Sequence, residues 1–457
     1  MSMTLGPLEE SLVRARDAED GERVARYAAA WRWYTGDHPA SLKVREGEAD
    51  DNVRLNFARL VVRAGVRALF GVAPTWTTND DRLDAVLDAW RKANPAQRRP
   101  GWDLQTQALA INGAVTGHAW AKWSISPDDP YPRLKVLDPA ICTAYWAEDD
   151  HEDVYAYRLE WATFNRAGRP VERRQIIERD TFASWTIRDE ERTTQSAKWV
   201  ARAAPVVWPY SWPPILETQN LVCPNEFYGT SDLEEDTLDL NRALNLNASS
   251  MQKIVRLYAH PRDVGFGFGA REVQMAPGQM PTIPNPDARI DTLGLLGDLA
   301  ASLDVYNRLK EAMHSTTATP EVAVGKLDTT GPMSGAALRI LYGPLVDSTE
   351  QKRLTYGPLV ELAQAQALVL LGAVGDTAEV DVETTWPEII PSDPLQERQA
   401  LTMDEQLGAS KATILAKLGY DAEAELQVSA EEARASAEAQ ARLFASGQSG
   451  DPFSSQP

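Results

Sequence analysis

Apolar positions recur at helical spacing in several long stretches of this chain. Residues 8–35 predict a helix that is acidic at first and aromatic at its end, where Trp31, Trp33 and Tyr34 precede Thr35-Gly36-Asp37. A polar loop with Glu46, Glu48, Asp50 and Asp51 follows. Asn52-Val53-Arg54-Leu55-Asn56 then leads into a helix to Phe70, with Gly71 and Pro74 as stop signals. Further helices are predicted over 81–92 and 102–113. From residue 118 to 210 the pattern changes to short runs of aromatic and β-branched residues, such as Val154-Tyr155-Ala156-Tyr157-Arg158-Leu159-Glu160-Trp161. Asn165-Arg166-Ala167-Gly168 reads as a hairpin turn, 175–187 and 198–201 supply more strand, and the whole predicts an antiparallel meander.

Residues 205–228 are rich in proline and aromatics and predict an extended connector. A long helix is expected from Ser231, with Ser231 as N-cap and Glu234 completing a capping box. It carries Leu240, Leu244, Met251, Ile254, Val255 and Tyr258, and stops at His260-Pro261. Glycines and prolines fill 262–291. A second long helix follows from 292, with Leu293, Leu296, Leu299, Leu303, Tyr306, Leu309 and Met313 on one face, ending near His314. Residues 315–333 predict a loop of threonines and glycines around Lys326. Ser334-Gly335 opens a third long helix to Leu371. Inside it Tyr342-Gly343-Pro344-Leu345-Val346 returns as Tyr356-Gly357-Pro358-Leu359-Val360, so two kinks or breaks are expected. Residues 380–385 predict a strand, 395–445 Ala- and Glu-rich helix, and 446–457 a disordered tail.

Composition narrows the function. At 457 residues the chain exceeds the ~250–300 at which single cores usually stop growing, so two or more regions are expected. It has 46 Lys plus Arg against 66 Asp plus Glu, a formal charge of −20. Such a surface repels phosphate and excludes a whole-surface binder of nucleic acid, while leaving room for contact through a few placed cations. The two cysteines, Cys142 and Cys223, form neither a disulfide scaffold nor a zinc spacing. The chain begins without a signal-peptide pattern. Its longest apolar run, 365–374, falls far short of the ~20 residues of a membrane span, so a soluble protein without a membrane role is expected.

No catalytic constellation emerges. Gly265-Phe266-Gly267-Phe268-Gly269 lacks the helix N-terminus that a phosphate loop needs and reads as a turn. Gly325-Lys326 is followed by Leu327 where a P-loop needs Ser or Thr. The five histidines lack zinc spacing, and the acidic run 149–153 reads as a solvated loop. Ser334 is a helix cap rather than a nucleophile, and the scattered tryptophans read as core and subunit interfaces. The expectation is therefore no enzyme, no metal and no cofactor. Long helices separated from a β region suit an assembly component whose exposed faces meet neighbours.

The order of motifs resembles the portal proteins of tailed bacteriophages, of the siphophage type. Tyr34-Thr35-Gly36-Asp37-His38-Pro39, and 52–56 with the helix ending Leu69-Phe70-Gly71, are similar to its early elements. Residues 225–234, with Gly229-Thr230-Ser231-Asp232-Leu233, resemble its lead-in to the first stem helix. Thr319-Pro320 with Ser334-Gly335-Ala336-Ala337-Leu338 resembles the surroundings of its tunnel loop, and Trp386-Pro387 with Pro391-Ser392-Asp393 the passage after it. The resemblance spans about residues 25–430.

It implies an α+β portal-protein fold with a mixed α/β wing, long stem helices, a small clip, a kinked helix after a tunnel loop and a helical crown. The implied parts are a wing at 1–228, stem helices at 229–260 and 292–314 flanking a clip at 261–291, a tunnel loop at 315–333, a kinked helix at 334–371, a wing strand return at 372–394, a crown at 395–445 and a tail at 446–457. It further implies a ring, usually of twelve subunits, at one capsid vertex of the virion, assembled in the host cytoplasm. Double-stranded DNA would pass through the ring's channel. The implied partners are the terminase large subunit, a head–tail adaptor, the major capsid protein and scaffold. The implied channel candidates are Lys326, Thr329 and Thr330 on the loop and Lys253, Arg256 and Lys310 on the stem. The alternative is another virion structural or head–tail adaptor protein without a portal channel.

Overall fold

A computed structural model describes residues 10–92, 94, 100–126, 129–181, 184–193, 198–259, 262–267, 287, 289–293, 299–324, 335–390, 401–404, 406, 410–417, 425–431 and 434–437. The chain divides into two compact units, one of Met1–Pro332 with Leu338–Ile389, the other of Met333–Ala337 with Ile390–Pro457. In the second unit the described residues are mostly helical, including a short helix Lys411–Lys417 that begins where the Ser410 hydroxyl accepts from the Thr413 N–H. The tail at 446–457 lies outside the described residues.

The first unit mixes helix and sheet. Its helices are α1 (Glu10–Thr35), α2 (Phe57–Phe70), α3 (Asp81–Arg91), α4 (Trp102–Thr116), α5 (Glu235–Ala259) and α6 (Leu299–Thr316), with α7 (Gly335–Leu370) entering it at Leu338. Local chemistry sets several ends. Asn56 caps α2 by accepting from the Arg59 N–H at 2.8 Å, and Asp80 caps α3 by accepting from the Arg82 N–H at 2.8 Å. Gly117 ends α4 at φ 90°, where a Cβ would stand 2.3 Å from the Gly229 carbonyl oxygen, so only glycine lets these two segments touch.

Three antiparallel strands β2 (His118–Ser124), β3 (Arg133–Leu137) and β10 (Ile215–Gln219) form one sheet in the order β10-β2-β3. A six-stranded sheet joins β4 (Cys142–Trp146), β5 (Val154–Phe164), β6 (Pro170–Thr181), β7 (Ser184–Arg192) and β8 (Val200–Ala201), with β9 (Val206–Trp208) also paired to β7. The expected meander is thus present, with its turn at 165–168. β1 (Thr75–Thr78) pairs antiparallel with β13 (Val382–Thr385), which lies after α7 in the same unit. One core gathers Trp33, Trp76, Trp90, Trp102, Trp120, Trp123, Trp185 and Trp208 with the buried faces of α2, α4 and α7. Burial of such rings supplies much of the driving force for this unit.

Six expectations need correction. The connector at 205–228 contains two strands, because its apolar residues Ile215 and Leu216 are buried by pairing with β2. Ser231 does not cap α5, which starts at Glu235. The Ser231 hydroxyl is taken up by the carbonyls of Ala114 at 3.0 Å and Val115 at 2.8 Å. The glycine run does not read as a turn throughout: Gly265 and Phe266 belong to β11 (Arg262–Phe266), paired with β12 (Arg289–Leu293). The second long helix starts at Leu299 rather than 292, since Leu293 belongs to β12, and it runs past His314 to Thr316. Within 315–333, Glu321–Val324 forms a 3-10 turn. Finally, of the kinks or breaks expected at the two prolines, no break occurs: α7 continues as one helix across Pro344 and Pro358. Each proline lacks the N–H that would pair with the carbonyl four residues earlier, at Ile340 and Leu354, and both of those residues are largely exposed, at 78% and 77%. Fourteen residues turn a helix by about four revolutions, which puts both copies of the repeat on one face. Leu345 and Leu359 are buried, and both prolines face out.

Candidate functional site

The described residues place two long helices around a hairpin: α5, β11–β12 and α6, with α5 packed on α6. At 25 and 18 residues these helices are about 37 and 27 Å long. The next described helix is α7. No described helix is long and apolar enough to cross a membrane, and among the described residues no group of three or more His, Cys, Asp or Glu is placed to hold a metal.

Of the sequence-derived candidates, Lys326, Thr329 and Thr330 lie outside the described residues. Arg256, in the last turn of α5, grips Asp51 with both arms of its guanidinium, Nε at 2.7 Å and Nη2 at 2.6 Å. That hydrogen-bonded pair holds the Asp51 carboxyl below the ordinary carboxylate range, and Lys253 one turn earlier on α5 acts in the same direction. Lys310 on α6 is 2.5 Å from Glu321, and His314 lies 3.7 Å from the same carboxylate oxygen. The structure thus gathers Lys253 and Arg256 about Asp51, and sets Lys310 in a separate cluster with His314 and Glu321. That second cluster ties the chain leaving α6 back onto the helix: His314 Nδ1 donates to the Thr319 carbonyl at 2.6 Å, and Ala318 turns the chain at φ 52°.

The sequence reading missed a polar ladder on α5. Asn241, Asn245 and Ser249, each 1% exposed or less, stand four residues apart on one face. They bind the backbone of the segment 53–58, which runs into α2. The Val53 N–H donates to Ser249 Oγ at 2.9 Å, the Leu55 N–H to Asn245 Oδ1 at 2.8 Å and the Ala58 N–H to Asn241 Oδ1 at 3.2 Å. Asn241 Nδ2 returns a bond to the Leu55 carbonyl at 2.8 Å. With Arg256–Asp51 at the far end, this segment is a strap along α5 whose amides are satisfied by side chains rather than by a β partner. The signal was the period-four run Asn241, Asn245, Ser249 of short polar residues along one face of the helix.

A second junction fixes α7. Lys352 Nζ meets Asp232 Oδ2 at 2.6 Å, with side chains 4% and 11% exposed. Asn220 Nδ2 donates to the other Asp232 oxygen at 3.0 Å, and Tyr356 is fully buried beside it with its hydroxyl 3.4 Å from Asn220 Oδ1. Polar contacts therefore hold α5 to the strap 51–58 and α7 to the segment 220–232. The arrangement holds elements in place and contains no nucleophile–base pair among the residues described above.

A family model described as "Phage portal protein, SPP1 Gp6-like" matches residues 16–439. No curated protein matches the chain. Among solved structures, the chain is similar to one in the virion of a native gene transfer agent (GTA) particle. The identity is 13% over 86% of this chain and 93% of that one, with a TM-score of 0.50. It is also similar to a chain in the neck of a native GTA particle computed with C12 symmetry, at 14% identity over 79% of this chain and 89% of that one, with a TM-score of 0.48.

Proposed function

This chain belongs to the SPP1 Gp6-like phage portal protein family, and from that premise we propose that its copies close into a ring at one capsid vertex, through which double-stranded DNA enters and leaves. The observation that carries the reading is the family match over 16–439, which takes in both long helices, the hairpin between them and α7. A place in the virion agrees with the solved chain of like fold from a gene transfer agent virion. The role is structural: the chain shapes a conduit, and a motor supplies the force. In this reading 1–228 and 372–394 form the wing, α5 and α6 the stem, 261–291 the clip that meets the terminase large subunit and later a head–tail adaptor, 315–333 the tunnel loop, and 395–445 the crown. The wing faces the major capsid protein and scaffold.

A conduit must not grip its cargo, because each phosphate neutralised by a cation adds affinity. A charge of −20 per copy suits that requirement. So does the pairing of Arg256 and Lys310 with Asp51 and Glu321, which leaves each a weak guide rather than an anchor.

Two results test the proposal in particles that carry this chain. Omission of the chain is expected to leave shells empty of DNA, and filled shells in its absence overturn the reading. In complete particles, Lys326→Ala combined with Lys310→Ala is expected to slow filling and shorten the packaged DNA. Unchanged length and rate remove the guiding role from these two lysines and leave the conduit standing.

A further inference from the structure

The α5 ladder has a titratable foot. His38 lies just past the end of α1, is 3% exposed, and packs its ring 4.4 Å from that of Trp33. Its Nε2 is 3.0 Å from the Trp33 carbonyl oxygen, which can only accept, so Nε2 carries the hydrogen. Its Nδ1 is 3.0 Å from Asn245 Nδ2, which can only donate, so Nδ1 must be bare. Asn245 cannot turn its oxygen toward the ring instead. That oxygen already accepts the Leu55 N–H at 2.8 Å, and a flipped amide would set an NH2 group against that N–H. The network therefore admits one protonation state of His38, the neutral ring with hydrogen on Nε2.

We propose that His38 is a proton-operated latch on the strap 53–58: a proton taken up at Nδ1 sets two donors face to face, opens the Asn245 rung and loosens the hold of α5 on the strap. The inference does not depend on ring formation or on DNA.

The surroundings favour the closed form. Burial disfavours the imidazolium most, and Arg54 on the strap and Arg59 on α2 act in the same direction. The Trp33 carbonyl and Asp37 oppose them. From α5, Arg242 lies 5.8 Å over the Trp33 ring and is paired with Asp239. His38 accordingly titrates below its ordinary value of 6.5. A histidine held neutral by the fold gives its full contribution above the unfolded value and loses it as pH falls through the lower folded value. The Arg256–Asp51 end of the strap behaves differently. Asp51 is held below its ordinary 3.8, so this clamp stays ionised while His38 takes up its proton. Acid thus opens the middle of the strap before its end.

Hydrogen–deuterium exchange on the full chain, corrected for the intrinsic rate at each pH, tests this. Between roughly pH 7.5 and pH 5.0, protection of the Val53, Leu55 and Ala58 amides is expected to fall by about threefold or more, while that of β2 holds. Asn245→Asp keeps an acceptor for the Leu55 N–H and offers a carboxylate to a protonated Nδ1, so its strap is expected to be better protected at the lower pH. Equal protection of the wild-type strap at both pH values overturns the latch, whether or not the variant folds. A loss shared equally by β2 overturns it as well, as does an acid loss in Asn245→Asp that matches the wild type.

Discussion

Replacement of Lys352 by alanine is expected to destabilise the first unit by about 3–5 kcal/mol, the loss typical of removing one partner from a buried ion pair. The lysine and Asp232 are both nearly dry, and their 2.6 Å contact is, among the described residues, the one charge-compensating bond to that carboxylate. Asn220 donates to its second oxygen at 3.0 Å and cannot neutralise it. Truncation leaves a carboxylate facing Gly65 and α7 with no cation, and the desolvation cost falls on the folded state alone. Adding Asp232→Asn to the variant removes the stranded charge while keeping an acceptor for Asn220, so the double variant is expected to recover part of the loss. Denaturant unfolding followed by tryptophan emission reads this unit, because Trp120 and Trp123 lie in its core. A loss under about 1 kcal/mol, the range of exposed pairs, contradicts the assignment.

Gly113→Ala is expected to cost about 2 kcal/mol, although alanine is the better helix former by about 1 kcal/mol. A Cβ at this position of α4 would stand 1.9 Å from the Tyr356 hydroxyl, and Tyr356 has no room to yield because it is fully buried. Phe70 closes the other side, its ring edge-on to Tyr356 at 6.0 Å. Removing the hydroxyl opens the site: the next tyrosine atom is 3.2 Å away, and the hydroxyl's own bond to Asn220 is long at 3.4 Å. Gly113→Ala with Tyr356→Phe is therefore expected to be nearly as stable as Tyr356→Phe alone, a coupling that a double-mutant cycle measures directly. A Gly113→Ala variant more stable than the wild type contradicts this packing. Both predictions concern one joint, because Asn220 touches Asp232 and Tyr356 at once.

The helices and the meander were legible because period is a local property. Residues 57–70 carry their apolar face in the sequence, and 154–164 its strand character. The errors share a cause, which is competition from distant partners. Ser231 and Glu234 match a capping box, yet two carbonyls of α4 claim the serine hydroxyl, and no local pattern announces them. Ile215 and Leu216 sit among prolines and become strand only because β2 lies beside them. Leu293 falls in phase with the face of α6, and phase alone cannot tell where a strand hands over to a helix.

The candidate cations were legible as charges but not as partners. Arg256 finds Asp51 at a separation of 205 positions, so its engagement belongs to the fold. The polar ladder was the converse: Asn241, Asn245 and Ser249 were in plain view, and what they bind was not. A buried polar stripe on a long helix signals that a backbone segment lies along it, since short amides and hydroxyls inside a protein must be satisfied.

Native mass spectrometry of the purified chain, with electron micrographs of the same sample, tests the central claim most directly. The account predicts closed rings with a central opening and a mass that is a whole multiple of 50.4 kDa, about 605 kDa for twelve copies. A compact particle of 50.4 kDa that persists when scaffold protein is co-expressed contradicts it.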